Sequence, residues 1–89
     1  MNSEQLRAEL EHLQAELQGA DGLDEQQRES LQSLANDINQ ILSRDENQPY
    51  HYRSLGQRLS EEVARLEASH PQITLLMRRA IDSLAILGI

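Results

Sequence analysis

The sequence predicts an all-α fold in which an N-terminal antiparallel helical hairpin is followed by a C-terminal bent helix pair, with coiled-coil-like packing. Apolar residues recur at helical spacing in four separate segments, and residues that stop or cap helices stand between those segments. Aromatic residues make up only 2% of the chain, so the core has to be built from Leu and Ile. At 89 residues the chain suffices for one small domain, which we assign to residues 1–89.

The first helix is predicted over residues 3–18. Its apolar side consists of leucines in steps of four, three and four residues, which places them on one side of a helix: Leu6, Leu10, Leu13 and Leu17. A stripe this narrow matches the seam of a coiled coil better than the face of a helix inside a broad core. Gly19 follows soon after and favours the end of the helix there.

The second helix is predicted over residues 24–43. Asp24, with Gln27 three residues later, has the pattern of a capping box, which marks a helix start. The apolar face of this helix is wider and comprises Leu31, Leu34, Ala35, Ile38, Ile41 and Leu42. Because the connection to the first helix is short, we expect these two helices to form an antiparallel hairpin.

The third and fourth helices are predicted over residues 52–69 and 71–87. Pro49 interrupts the helical pattern, so residues 44–53 are interpreted as the longest linker, with the third helix beginning between Pro49 and Ser54. Pro71 disfavours helical geometry at the residue before it and commonly starts a helix, which sets the next boundary. With almost no loop between them, these two helices are expected to meet at a sharp bend.

The last two helices each have one main apolar face. In the third helix it comprises Leu55, Leu59, Val63 and Leu66, and in the fourth it comprises Ile73, Leu76, Met77, Ala80, Leu84 and Leu87. Thr74, Arg78 and Asp82 are predicted on the opposite side of the fourth helix. Leu75 and Ile86 do not fit the main face and lie near each other on its back. They are either ordinary exposed apolar residues or a contact with a subunit or partner.

The net charge of −7 is unevenly distributed along the chain. Residues 1–48 have eleven acidic and three basic side chains, whereas residues 49–89 have four acidic side chains and five arginines. An acidic chain repels phosphate backbones, so the composition disfavours binding to nucleic acid. The asymmetry either serves solubility or indicates that the acidic half lies against the Arg-bearing half, within one chain or between two.

The composition also predicts where the protein works. The chain has no Cys, which excludes a disulfide framework and fits a reducing compartment. Its N-terminus is polar and lacks the pattern of a signal peptide, and no run of about 18 apolar residues is present. We therefore expect a cytoplasmic protein that does not span a membrane.

No residue pattern indicates catalysis, a metal or a cofactor. His12, His51 and His70 are isolated from other metal ligands, and His70 is expected to satisfy backbone groups at its junction. Glu61 and Glu62 are predicted on a polar face, where a carboxylate is solvated and unsuited to acid–base catalysis. We therefore predict that the protein is not an enzyme and binds no metal and no cofactor.

Tyr50 and Tyr52 are the only aromatic residues of the chain. Tyrosine is favoured at recognition sites, yet near a helix start it also covers the ends of neighbouring helices. Of these two roles, packing is the one that their position favours.

Several segments resemble a known family. The runs from Leu66 to Pro71 and from Arg78 to Leu84, with the ending from Leu87 to Ile89, are similar to the C-terminal signature of small bacterial proteins grouped as domain of unknown function 4404. The opening from Leu6 to Leu17 is similar too, so the resemblance covers nearly the whole chain. It implies a bacterial, all-helical, stand-alone protein and assigns no activity and no site residues.

These observations predict a small non-enzymatic interaction or structural protein that self-associates, as a two-fold homodimer, or binds a protein partner through leucine-rich helix faces. The residues expected to mediate association are Leu6, Leu10, Leu13 and Leu17, with Leu75 and Ile86 second. The alternative is a regulator that binds an anionic ligand or membrane surface through the last helix, with Arg78 and Arg79 facing the acidic group. Membrane binding is disfavoured because that helix has only two basic residues, with Asp82 beside them.

Overall fold

Four α-helices account for most of the chain in the computed structural model, which describes residues 2–87 and the side chains of residues 4–87. They are α1 (Asn2–Gln18), α2 (Glu25–Ser43), α3 (Pro49–Leu66) and α4 (Pro71–Leu87). No strand occurs between residues 2 and 87, so the prediction of an all-α fold is confirmed. The bounds of α1, α2 and α4 fall within one residue of those predicted. Met1, Gly88 and Ile89, which the predicted single domain includes, lie outside the described residues.

The starts of α2 and α4 follow from the capping and proline signals in the sequence. The backbone N–H of Gln27 donates to the Asp24 carboxylate over 2.7 Å, and the Asp24 N–H donates to the side-chain oxygen of Gln27 over 3.1 Å. This capping box satisfies N–H groups that a helix start otherwise leaves unpaired. Pro71 is the first residue of α4, where its missing N–H costs no helical hydrogen bond.

The predicted bounds of α3, residues 52–69, are wrong by three residues at each end. The helix begins at Pro49, the first position of the predicted range from Pro49 to Ser54, because proline is tolerated in the first helical turn. The ring Nδ1 of His51 accepts from the backbone N–H of Gln48 over 2.9 Å, which gives this earlier start its cap.

The link between α3 and α4 is longer than the single residue predicted. The helix ends at Leu66, whose carbonyl accepts the N–H of His70 over 2.8 Å, so four residues remain before Pro71. The chain reverses its direction there, because the start of α3 and the end of α4 line one groove, to which Tyr52 and Leu84 both contribute. α3 and α4 are therefore antiparallel neighbours, and the sharp bend predicted between them is not confirmed.

Each helix contacts two others, which arranges the four as a bundle. Arg7, near the start of α1, donates to the Leu42 carbonyl, near the end of α2, over 2.8 Å, so these helices are antiparallel. Between α1 and α4, the Ser83 hydroxyl donates to the Glu9 carboxylate over 2.5 Å. The contacts of α4 with α3 and with α1 are the extensive ones, and those of α2 with its neighbours are smaller.

One aliphatic core lies between the four helices. Among the described side chains its buried members are Leu6, Leu10, Leu13, Leu31, Leu34, Ile38, Ile41, Leu55, Leu59, Leu66, Ile73, Met77, Ala80 and Leu84. Burying a side chain of this size contributes about 1.5–3 kcal/mol, so this core is the main source of stability.

The leucine stripe of α1 lies inside this core. Leu6 is 3% exposed, Leu10 and Leu13 are 0% exposed, and Leu17 is half-buried against the same cluster. α1 contacts both α2 and α4, so the stripe is shared between two helices of the same chain. This arrangement differs from the seam against a single helix that the width of the stripe predicts.

Among the side chains of residues 4–87, three polar ones are buried, and two of these are predicted on polar faces. Glu62 is 2% exposed and takes the core position that the sequence pattern assigns to Val63, which is only half-buried. Thr74 is 1% exposed rather than opposite the apolar face, and its hydroxyl donates to the Pro71 carbonyl over 2.9 Å. The third is Ser83, whose hydroxyl donates a hydrogen bond to the Glu9 carboxylate of α1. A satisfied hydroxyl or carboxylate can thus occupy a position that apolar periodicity alone reserves for Leu or Ile.

Candidate interaction surface on helix α4

Large apolar side chains are exposed at three described positions: Tyr50, Leu75 and Ile86. Leu75 is 49% exposed and Ile86 is 59% exposed, and both belong to α4. A single exposed Leu is ordinary on a protein surface. Two such residues on one side of a helix whose main apolar face is already buried define a candidate contact.

Four exposed residues form one line along the outside of α4, and we call this line the outer ridge. They are Leu75, Arg79, Asp82 and Ile86. Steps of four, three and four residues keep these positions within a sector of about 60° around the helix. Leu75 and Ile86 are eleven residues apart, which separates them by about 16 Å along the helix axis. The outer ridge therefore has an apolar residue at each end and opposite charges in the middle.

The two charged side chains of the outer ridge are exposed and unengaged within the described part of the chain. Neither Arg79 nor Asp82 forms an ion pair or side-chain hydrogen bond with another described residue. By contrast, Arg78 on the neighbouring side of α4 forms an ion pair with Glu67. Arg79 and Asp82 are thus available to an outside partner, whereas Arg78 already has one.

The α1 leucine stripe, predicted as the first association site, is part of the core of the single chain. A partner could reach it only if α2 or α4 moved away, because these two helices cover it. The structure therefore does not bring the α1 stripe together with the outer ridge. Leu75 and Ile86 are the predicted association residues that a partner can contact directly.

The two tyrosines differ in their surroundings, and this difference separates the packing role from the recognition role. Tyr52 is half-buried and packs against the core. Tyr50 is 59% exposed, and its ring centroid lies 4.2 Å from that of His51. Packing thus accounts for Tyr52 but not for Tyr50.

A buried carboxylate is the polar feature that the sequence prediction missed. Glu62 lies on the core face of α3 because it continues the four, three and four spacing of Leu55, Leu59 and Leu66. Its Oε2 accepts from the Ser30 hydroxyl of α2 over 2.6 Å and from the Arg65 guanidinium over 3.3 Å. The spacing alone indicates the core face for Glu62, whereas its charge favours an exposed position.

The Glu62 cluster joins helices rather than presenting a reactive group. Its partners are a hydroxyl and a guanidinium, which hold the carboxylate between α2 and α3, where the direct helix contact is small. No group of three or more His, Cys, Asp or Glu side chains that could hold a metal ion occurs among the described residues. We therefore treat the cluster as part of the fold.

Arg58 of the Arg-bearing half forms an ion pair with Asp37 of the acidic half over 3.1 Å. Two further ion pairs, Arg65 with Glu62 and Arg78 with Glu67, lie within the second half of the chain. Most of the acidic side chains of the first half remain on the surface, where they act against close approach of a second acidic chain.

Comparison with known proteins gives a family match that covers α2, α3, α4 and most of α1. The family model described as Domain of unknown function (DUF4404) matches residues 6–89. No curated protein and no solved structure shows a significant match to the chain. The matched region includes the whole of α4 and therefore the outer ridge.

Proposed function

The chain belongs to the DUF4404 family of unknown function, and from this premise we propose that it is a small non-enzymatic helical protein that self-associates through the outer ridge of α4. The observation that carries the proposal is the exposure of Leu75 and Ile86 on one side of a helix whose main apolar face is buried. Covering both side chains in a dimer removes apolar surface from water, which favours association. The lack of Cys fits a reducing compartment such as the cytoplasm.

The charge distribution favours α4 over α1 as the contact between two copies. Two chains with a net charge of −7 repel each other at long range. α1 has four acidic side chains and one Arg, whereas the charged residues of α4 are Arg78, Arg79 and Asp82. A contact through α4 therefore joins two copies at a part of their surface that has no excess of negative charge.

The competing function, in which Arg78 and Arg79 bind an anionic ligand or membrane surface, has less support. Arg78 already pairs with Glu67, and Asp82 lies one helical turn from Arg79. An anion approaching this face would therefore meet a carboxylate as well as a guanidinium. None of the described helices has the length and apolar character needed to cross a membrane.

The test is the solution mass of the protein, measured by light scattering behind a sizing column over about a hundredfold range of concentration. We expect the wild-type mass to rise from monomer towards dimer, and Leu75→Glu combined with Ile86→Glu to stay monomeric. Tyr50→Glu is the matched control for Ile86→Glu alone, because each adds one negative charge at an apolar side chain of 59% exposure, and Tyr50 lies outside the outer ridge.

The result that would overturn the proposal is a wild type that stays monomeric at every concentration. A dimer that persists in the doubly substituted protein would also overturn it, since the contact would then lie elsewhere. Circular dichroism should give the same helix content for all variants because the substituted side chains are exposed. Salt-sensitive binding of the monomer to vesicles of anionic lipid would support the competing function instead.

A further inference from the structure

The outer ridge is complementary to itself when two copies of α4 lie side by side in opposite directions. A two-fold axis between residues 80 and 81 places Leu75 against Ile86 of the partner subunit and Arg79 against Asp82 of the partner subunit. Two-fold symmetry repeats each contact, so the ridge forms two apolar pairs and two pairs of opposite charge. We infer that the chain dimerises through this antiparallel α4–α4 contact, an inference that rests on the proposed self-association.

The spacing of the outer ridge suits a helix–helix seam. Its steps of four, three and four residues are those of a heptad pattern, the same as in the α1 leucine stripe. Helices packed along such a stripe approach to about 8–10 Å, which brings the facing side chains into contact. In the antiparallel arrangement the apolar pairs lie at the two ends of the contact and shield the charged pairs between them.

The charges decide the orientation of the two helices. In a parallel pair with the same residues in register, Arg79 would face the partner's Arg79 and Asp82 would face the partner's Asp82. Like charges placed together disfavour that arrangement, whereas the antiparallel register pairs opposite charges. Because neither side chain has another partner among the described residues, neither has to break an ion pair within the chain to form the contact.

The small size of the contact is typical of a weak dimer. A contact made by one helix of 17 residues buries less surface than the roughly 1,600 Å² of a typical stable interface. Interfaces below about 1,200 Å² belong to weak and transient complexes. The dimer should therefore form with a dissociation constant above about 1 µM and respond to protein concentration.

Exchange of the two charges tests the pairing. Arg79→Asp and Asp82→Arg should each weaken the homodimer by on the order of tenfold, because each substitution sets like charges against each other. The variant with both substitutions should regain the dimer, and an equimolar mixture of the two single variants should form a heterodimer, detectable by sedimentation. Arg28→Asp is the control, since it makes the same charge change at an exposed position of α2.

Disulfide cross-linking tests the register independently, because the wild-type chain has no Cys. A Leu75→Cys chain mixed with an Ile86→Cys chain should form a mixed disulfide under mild oxidation. Either variant alone should cross-link poorly, since two copies of the same position lie about 16 Å apart along the axis of this dimer.

The two experiments separate the register from self-association itself. A wild type that dimerises while the mixed charge variants stay apart, or while the Cys variants cross-link only with themselves, would overturn the antiparallel register and leave the proposed function standing. A wild type that remains monomeric would overturn both. Recovery of the dimer in the charge exchange together with a mixed disulfide would establish the register.

Discussion

The ring Nε2 of His70 lies 2.7 Å from the backbone carbonyl oxygen of Asp21, so the α3–α4 link is tied to the loop between α1 and α2. A carbonyl only accepts hydrogen bonds, so Nε2 carries the proton, and Nδ1 accepts from the Ser69 hydroxyl over 2.8 Å. His70 thus contacts a backbone group, but that group belongs to the loop between α1 and α2 rather than to the junction of His70 itself. The tie joins two turns that are 49 residues apart in the chain.

Loss of this tie should destabilise the fold. His70→Ala is expected to lower the free energy of unfolding by about 0.5–1.5 kcal/mol, because it removes a hydrogen bond to the Asp21 carbonyl, which is exposed and can bind water instead. His70→Gln should lose less, since its amide nitrogen can reach nearly the position of Nε2. Urea unfolding followed by circular dichroism gives both values. Equal losses for the two variants would show that the ring packing, and not the donor, stabilises this end of the bundle.

Substitution of the α1 stripe should unfold the chain rather than separate two subunits. Leu10→Glu combined with Leu13→Glu places two carboxylates at positions that are 0% exposed. Each unpaired buried charge costs several kcal/mol, and a small domain has only about 5–15 kcal/mol of stability to lose. We expect the far-ultraviolet helical signal to disappear. Retention of the helices with loss of a dimer would instead identify the stripe as an interface between chains.

Glu62 offers a comparison between packing and charge. Glu62→Ala should lower the free energy of unfolding by about 2 kcal/mol, because it opens a cavity and removes the shared partner of Ser30 and Arg65. Glu62→Leu should lower the free energy of unfolding by less than about 1 kcal/mol, because the leucine fills the core position. The Arg65 side chain, which is 62% exposed, loses its carboxylate partner but can be hydrated instead. Thermal denaturation measures both. Glu61→Leu, at an exposed neighbour, is the control.

Gly56 should be replaceable with a gain in stability. A Cβ built at this position of α3 meets no atom within 4 Å, and alanine is the better helix former by about 0.8–1 kcal/mol. Gly56→Ala is therefore expected to raise the midpoint of thermal unfolding. Gly22→Ala should lower it, because Gly22 has a φ of +74°, which L-residues rarely adopt. A lower midpoint for Gly56→Ala would mean that a neighbouring group approaches this glycine in solution.

The start of α3 should respond to pH through His51. Loss of contact with water lowers the pKa of His51 below its ordinary value of 6.5, and the nearby positive charge of Arg44 lowers this pKa further. Above pH 6.5 the neutral ring therefore makes its full contribution to the free energy of unfolding. This contribution is lost as the pH falls from 6.5 towards the lowered pKa. A titration of the ring by NMR should have its midpoint below 6.5. Thermal unfolding of His51→Gln should lack this part of the pH dependence.

The start of a helix can be predicted from the sequence where residues next to it determine that start. The Asp24 capping box and Pro71 mark helix starts through hydrogen bonds and steric limits within a few residues, and both helices begin within one residue of the prediction. Pro49 is different, because a proline looks the same in a linker and at the first position of a helix. Only the hydrogen bond from Gln48 to His51 decides between the two.

Periodicity identified which faces are covered, but not what covers them. Leu75 and Ile86 were recognisable as candidates because they depart from the main face of α4, and both are exposed. The α1 stripe could not be assigned to core or interface in the same way, because apolar spacing is identical in both. Glu62 was missed because burial of a carboxylate depends on partners such as Ser30, 32 residues away in the sequence.

The extensive contact between α1 and α4 joins segments that residues 19–70 separate in the chain. During synthesis α1 is made before the other three helices, and its smaller contact with α2 is the only one of its two helix contacts that can form before α4 is made. At about 5–20 residues per second, several seconds pass before α4 can bury the leucines of α1. A stripe that is hidden in the finished protein is therefore accessible to a chaperone, or to a neighbouring nascent chain, while the rest of the bundle is being made.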